Sequence, residues 1–180
     1  VPAPPSGTVT VTGTASVGQR LTANTDAVVA TPAAAYAYTW QRSTDNGKTW
    51  TTIANAIAST YTLAVADAGA QVRVVVSATN SAGSIALTST SKSVAALTKP
   101  GVPVVKSAVA VGKVITVTWS ASTAPANAPV TGYTLVCTLG AAKALTAKAT
   151  ATKAGTWTCV VTATSVAGST ASSPRAVAVR

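Results

Sequence analysis

Short runs in which apolar and polar residues alternate one by one dominate this chain, and Thr8-Val9-Thr10-Val11-Thr12, stopped by Gly13, is the strictest of them. Successive side chains of an extended strand point to opposite faces, so a period of two predicts half-buried β-strands. The same reading predicts strands over residues 15–25, 36–42, 49–53, 61–63, 71–79 and 84–94. Asn46-Gly47 lies between two of these runs and accepts the positive φ angles of a two-residue type I′ hairpin turn. Asp67-Ala68-Gly69 predicts a corner and Asn80-Ser81-Ala82-Gly83 another turn. Further on, the chain again reads as short β runs separated by turn signals, with a last strand ending in Val177-Ala178-Val179-Arg180. Two stretches interrupt the alternation: Pro2 to Gly7, and Leu97-Thr98-Lys99-Pro100-Gly101-Val102-Pro103. They divide the chain into modules at residues 1–98 and 99–180, each the size of a small β-sandwich. The expected fold is all-β, two tandem Greek-key β-sandwiches.

Composition narrows the means of building such a core. Hydrophobic residues make up 48% of the 180, but Phe and Met are absent and aromatics reach only 4%. Valine, alanine, leucine and isoleucine must fill the interior, with four tryptophans as the bulky pieces. No apolar run approaches the length of about 18 residues that a membrane-spanning helix needs. The opening Val1-Pro2-Ala3-Pro4-Pro5 suits a processed N-terminus or a linker within a longer polypeptide.

Thirteen basic residues face three acidic ones, for a net charge of +10, and the imbalance is uneven. The first module has five basic residues against Asp26, Asp45 and Asp67, whereas the second has eight and no acid. Lys143, Lys148 and Lys153 concentrate part of that charge and are the candidate basic surface, suited to an anionic polymer. No aromatics alternate with these lysines to stack on bases, which argues against nucleic acid.

The phrases Tyr38-Thr39-Trp40-Gln41-Arg42-Ser43, Asp45-Asn46-Gly47-Lys48-Thr49-Trp50 and Asp67-Ala68-Gly69-Ala70-Gln71-Val72-Arg73-Val74 resemble the immunoglobulin-like domains of bacterial surface proteins. No cysteine flanks Trp40, so the inter-sheet disulfide of antibody domains is missing, and Val72 and Val74 fall where a tyrosine and a cysteine would sit. The second module resembles a fibronectin type III domain. Val114-Ile115-Thr116-Val117-Thr118-Trp119 matches its Trp-bearing strand, Pro129-Val130-Thr131-Gly132-Tyr133-Thr134-Leu135-Val136 the next, and Val161 to Ser169 a strand and turn near its end. Trp157 stands at the family's corner tyrosine. Trp40, Trp119 and Trp157 are expected to anchor the cores.

Catalytic chemistry has little to work with. Histidine and glutamate are absent, so a serine or cysteine nucleophile has no ordinary base. The three aspartates fall in different predicted turns, where turn formation explains them, and paired-carboxylate chemistry needs two groups roughly 5–10 Å apart. No phosphate loop, Cys-x-x-Cys pair or clustered-aspartate loop occurs, so neither a metal nor a cofactor is expected. Some bacterial sandwiches form a Lys–Asn isopeptide bond beside a buried acid. The second module lacks any acid, and in the first Asn24, Asn55 and Asn80 read as turn residues. Trp50 is the remaining candidate. In a two-residue hairpin Trp40 faces Ile53 while Trp50 faces Ser43 on the other side of the sheet. An outward indole can stack on a sugar ring, or lie across its own sheet against Gln41 or a neighbouring loop.

Along their strands Tyr133, Leu135 and Cys137 share one face, and Trp157, Cys159, Val161 and Ala163 share another. The fibronectin resemblance implies that these strands are antiparallel neighbours with both faces turned inward. Pairing Tyr133 with Ala163 then sets Leu135 against Val161 and Cys137 against Cys159. Two buried thiols acting as small hydrophobes are the alternative to a disulfide. A disulfide would add roughly 3 kcal/mol by loop closure and fit an oxidising compartment.

The expectation is a non-catalytic, extracellular or cell-surface structural or adhesive module pair. A short proline-containing linker favours a semi-rigid spacer or display rod, contacting neighbouring domains or copies of itself. Trp50 and the lysines motivate a second possibility, a module binding cell-wall or extracellular polysaccharide or another anionic polymer. A third is the subunit of a self-assembling fibre, layer or viral appendage joined through edge strands.

Overall fold

The computed structural model describes the backbone of residues 1–139, 142–145 and 148–180, and the side chains outside residues 140–149. It divides into two compact units, Val1–Ala96 and Leu97–Arg180. Both are β-sandwiches.

In the first unit the strands are β1 (Ala3–Gly7), β2 (Thr10–Thr12), β3 (Arg20–Asn24), β4 (Val28–Thr31), β5 (Ala35–Ser43), β6 (Thr51–Thr52), β7 (Thr60–Thr62), β8 (Gln71–Asn80), β9 (Gly83–Thr88) and β10 (Lys92–Ser93). One sheet runs β10-β8-β5-β6, with β9 also paired to β8, and the facing sheet runs β2-β3-β7. Val72, Val74 and Val76 alternate with partly or fully exposed neighbours along β8, so this strand lays a ridge of valines onto the core. Burying each contributes roughly 1.5–3 kcal/mol. They meet Val9, Val11, Leu21, Ala23 and Leu63 across the sandwich, with Trp40 in the centre, fully buried and directly opposite Val74. The Trp40 indole donates to the Ala58 carbonyl at 2.9 Å, which satisfies the one polar atom that this ring takes into the core.

The proline-rich opening is a strand, not a linker. β1 pairs antiparallel with β4, a strand that the sequence pattern did not show. Proline cannot donate to a ladder and is confined to edges, which is where β1 lies. Gly7 permits the close approach of the chain near Ala27. It sits at φ +126°, and a Cβ there would collide with the Ala27 carbonyl oxygen.

The second unit contains β11 (Val104–Val111), β12 (Val114–Ser120), β13 (Gly132–Leu139), β14 (Ala142–Leu145), β15 (Lys148–Thr150), β16 (Gly155–Ser165), β17 (Gly168–Ala171) and β18 (Arg175–Val179). One sheet runs β11-β12-β15 and the other β14-β13-β16-β17, with β18 also paired to β16. Ile115 and Val117 from the first sheet close on Leu135, Trp157, Val161, Val177 and Val179 from the second. Trp157 is fully buried, but Trp119 is not the core anchor expected of it. It lies half-buried at the margin, its ring 5.9 Å from that of Tyr133.

In both units one side of the longest strand is covered by two shorter strands in turn. β9 and β10 pair with successive parts of β8, and β17 and β18 with successive parts of β16. Between the two a buried serine replaces the missing rung: Ser89 accepts from the Val74 N–H at 3.1 Å, and Ser172 from the Val161 N–H at 3.0 Å. A buried N–H left without an acceptor is costly, which is why a hydroxyl stands at both positions.

Candidate functional site

Trp50 belongs to the β5–β6 hairpin, whose sequence controls its placement. Asn46 and Gly47 take positive φ values of 62° and 86°, as the Asn-Gly pair requires. The connection is nevertheless wider than two residues, because β5 ends at Ser43 and β6 starts at Thr51. Side chains hold it open. The Asp45 carboxylate accepts from the Thr49 hydroxyl at 2.6 Å, the Thr49 N–H at 2.8 Å and the Ser43 hydroxyl at 2.7 Å. The Ser43 hydroxyl in turn accepts from the Gly47 N–H at 2.8 Å. These bonds, the Thr49 hydroxyl first, hold the Asp45 carboxyl down at about 2. The ladder still pairs Gln41 with Thr52 and Arg42 with Thr51, so Trp40 and Ile53 stay opposed as the short turn would have had them.

Within this frame the indole is half-buried and lies over its own sheet. Its N–H donates to the Gly47 carbonyl at 3.1 Å, and the Arg73 guanidinium carbon stands 4.0 Å from the ring centroid. Arg73 is held there by a 2.8 Å bond from Nε to the Gln41 side-chain oxygen. One face of the candidate stacking residue is therefore occupied by a cation from β8, a contact of about 0.5–1 kcal/mol at a partly exposed site.

Of the candidate basic residues, Lys143 falls on β14 and Lys148 on β15, with side chains outside the described residues. Lys153 is exposed in the turn before β16, where its carbonyl accepts the Trp157 indole N–H at 3.1 Å. The basic surface expected of these three thus lies mostly outside what is described.

Cys137 and Cys159 are joined in a disulfide, with S–S 2.05 Å and Cα–Cα 4.0 Å. They are direct partners in the β13–β16 ladder, which also sets Tyr133 opposite Ala163 and Leu135 opposite Val161. Both are fully buried.

The centre that the sequence did not disclose is Asp67. Expected to be a corner residue, it ends a 3₁₀ turn over Val65–Asp67 and is fully buried. Its carboxylate accepts from Arg42 Nη1 at 3.1 Å, the Tyr61 hydroxyl at 2.7 Å and the Ala64 N–H at 2.7 Å. Burial first, and then the bond to this carboxylate, push the Tyr61 hydroxyl up to about 12. Asp26 has a local partner as well, since Asn24 donates to its carboxylate at 2.8 Å. Among the described residues no three His, Cys, Asp or Glu side chains gather as a metal site would need, and no helix is long and apolar enough to cross a membrane.

No protein-family model and no curated protein matches the chain. A solved structure of the chicken CNTN1 FN1-FN3 domains is similar over 99% of this chain and 69% of that one, at 18% identity and a TM-score of 0.41. The fold assignment rests on the ladders and cores above.

Proposed function

We propose that this chain is a non-catalytic structural and adhesive module pair of a bacterial cell-surface protein, working as a spacer or display element outside the cell. The observation that carries this reading is the employment of its carboxylates. Asp67 is locked in the core of the first unit, Asp45 shapes a hairpin and Asp26 engages Asn24. Each supports the fold rather than facing a second acid. The buried Cys137–Cys159 disulfide supports an oxidising compartment. Both sandwich types that the sequence resembles commonly serve as spacers and platforms, although a fold does not dictate function.

A polysaccharide-binding role would use Trp50, and Arg73 already covers one face of that ring. The test is a glycan array and a cell-wall polysaccharide pull-down at millimolar ligand, read together with Trp50 fluorescence. Absence of binding in both is expected. Saturable binding abolished by Trp50→Ala would replace the spacer reading with a carbohydrate-binding one. Alkylation of unreduced protein from its native compartment tests the location, because two reactive thiols would overturn it.

A further inference from the structure

Two strands of the second unit run side by side without sharing a sheet. β11 ends the β11-β12-β15 sheet, and β18 pairs with β16 alone. Two separate grooves open between their neighbouring edges. At one end Val102, Pro103, Val104 and Val105 face Ser173, Pro174 and Arg175 across a groove of about 170 Å³. At the other, Ala108, Val109 and Ala110 face Ala176, Ala178 and Arg180 across a groove of about 540 Å³. Strand edges carry backbone donors and acceptors at regular spacing, the template on which an added strand pairs. Small alanines on both walls let another backbone come close, while Val104 and Val109 are 60% and 55% exposed at the rim.

Charge selects the occupant. Arg175 and Arg180 stand at the two grooves, exposed Lys106 projects from β11 between them, and Lys113 follows in the turn to β12. The residues from 97 to 180 include no acid. A second copy offers no complement, because the three aspartates of the chain are held in its first unit by internal hydrogen bonds. A like-charged unit is repelled from these grooves, whereas an acidic strand is drawn to them.

We propose that the β11–β18 seam takes up an extended, acidic polypeptide strand of another protein by edge-on β pairing, with alternate apolar side chains set against Val104 and Val109 and the acids reaching Arg175, Arg180 and Lys106. Such uptake depends on the second unit alone, so it holds whether the pair acts as spacer or as polysaccharide binder.

The experiment titrates the full ¹⁵N-labelled chain with a synthetic eight-residue peptide alternating aspartate and valine. A lysine-for-aspartate peptide, polyaspartate and an anionic polysaccharide serve as comparisons. Amide shifts confined to β11 and β18 are expected, weakening as salt rises. Arg175→Glu with Arg180→Glu should loosen the peptide by about tenfold or more with the unit still folded, since reversing rim charges turns attraction into repulsion. Lys106→Glu, at a bulge where β11 skips a rung, gives a second variant that leaves the ladder intact. Equal binding of the lysine peptide, or of polyaspartate or the polysaccharide at the same amides, overturns the proposal. Shifts scattered over the basic residues, or concentration-dependent self-association through these edges, overturn it equally.

Discussion

Replacing Asp67 by alanine removes a carboxylate that three donors share, and each donor is affected differently. The Ala64 N–H and the Tyr61 hydroxyl lose their acceptor inside the fold, whereas Arg42, whose side chain is 26% exposed, can turn to water. Breaking a buried pair by removing one partner costs about 3–5 kcal/mol, and the exposure of Arg42 places this case near the lower figure, at about 3 kcal/mol. Tyr61→Phe deletes a single bond and should cost about 1 kcal/mol in the native background. Once Asp67 is gone the same change removes an unsatisfied hydroxyl, so its cost should vanish, a coupling of about 1 kcal/mol. Urea unfolding followed by tryptophan fluorescence and circular dichroism measures this. Trp40, whose ring lies 5.7 Å from that of Tyr61, reports on the first unit, and the transition of the second unit serves as an internal control that should not move. Equal costs for Tyr61→Phe in both backgrounds, or a loss below about 1 kcal/mol for Asp67→Ala, would refute the shared-acceptor account.

Reduction, or Cys137→Ser with Cys159→Ser, should lower the second unit's stability by about 3 kcal/mol and leave the first unchanged, as loop closure over a separation of 22 residues implies; denaturation with and without reductant checks it. Asp45 lies below its ordinary 3.8, so its stabilisation is fully present above pH 3.8 and lost as pH falls toward 2, and Asp45→Asn should flatten that acid limb in a pH series of melts. Tyr61 lies above its ordinary 10, so its contribution is complete below pH 10 and lost as pH rises through 12; Tyr61→Phe should abolish that alkaline limb. Gly7→Ala should destabilise by more than about 2 kcal/mol, because the added Cβ meets backbone, whereas Gly18→Ala, also at positive φ but in open space, should cost only about 1 kcal/mol; calorimetry of the two variants compares them.

The strands that alternate cleanly and bury one face were readable along the chain. Residues 71–79 correspond to β8 and 114–119 to β12, with Val72, Val74, Ile115 and Val117 inward, because period two marks the buried side wherever one face meets a core. β1 and β4 were not readable. The first is masked by its prolines, and the second exposes alternate positions on an edge where little burial selects residue type. The hairpin turn was misjudged in width, since Asn46-Gly47 specifies the local backbone, whereas the Asp45 carboxylate gathers residues on both sides of it.

Composition, charge and local pattern determined an all-β chain with valine cores, a shortage of catalytic groups and a second unit without acids, since these follow from which residues are present and from their nearest neighbours. The pairing of Cys137 with Cys159 was within reach once a sandwich topology was assumed, because the ladder register then has little freedom. Other features needed the folded chain. Arg42, Tyr61 and Asp67 converge from separate elements, Arg73 settles over Trp50, and β11 comes to lie beside β18 across nearly the whole second unit. Each brings together residues far apart in sequence whose individual types are unremarkable, and only strand pairing within a sheet and the packing of one sheet on another set the distances that give them a role.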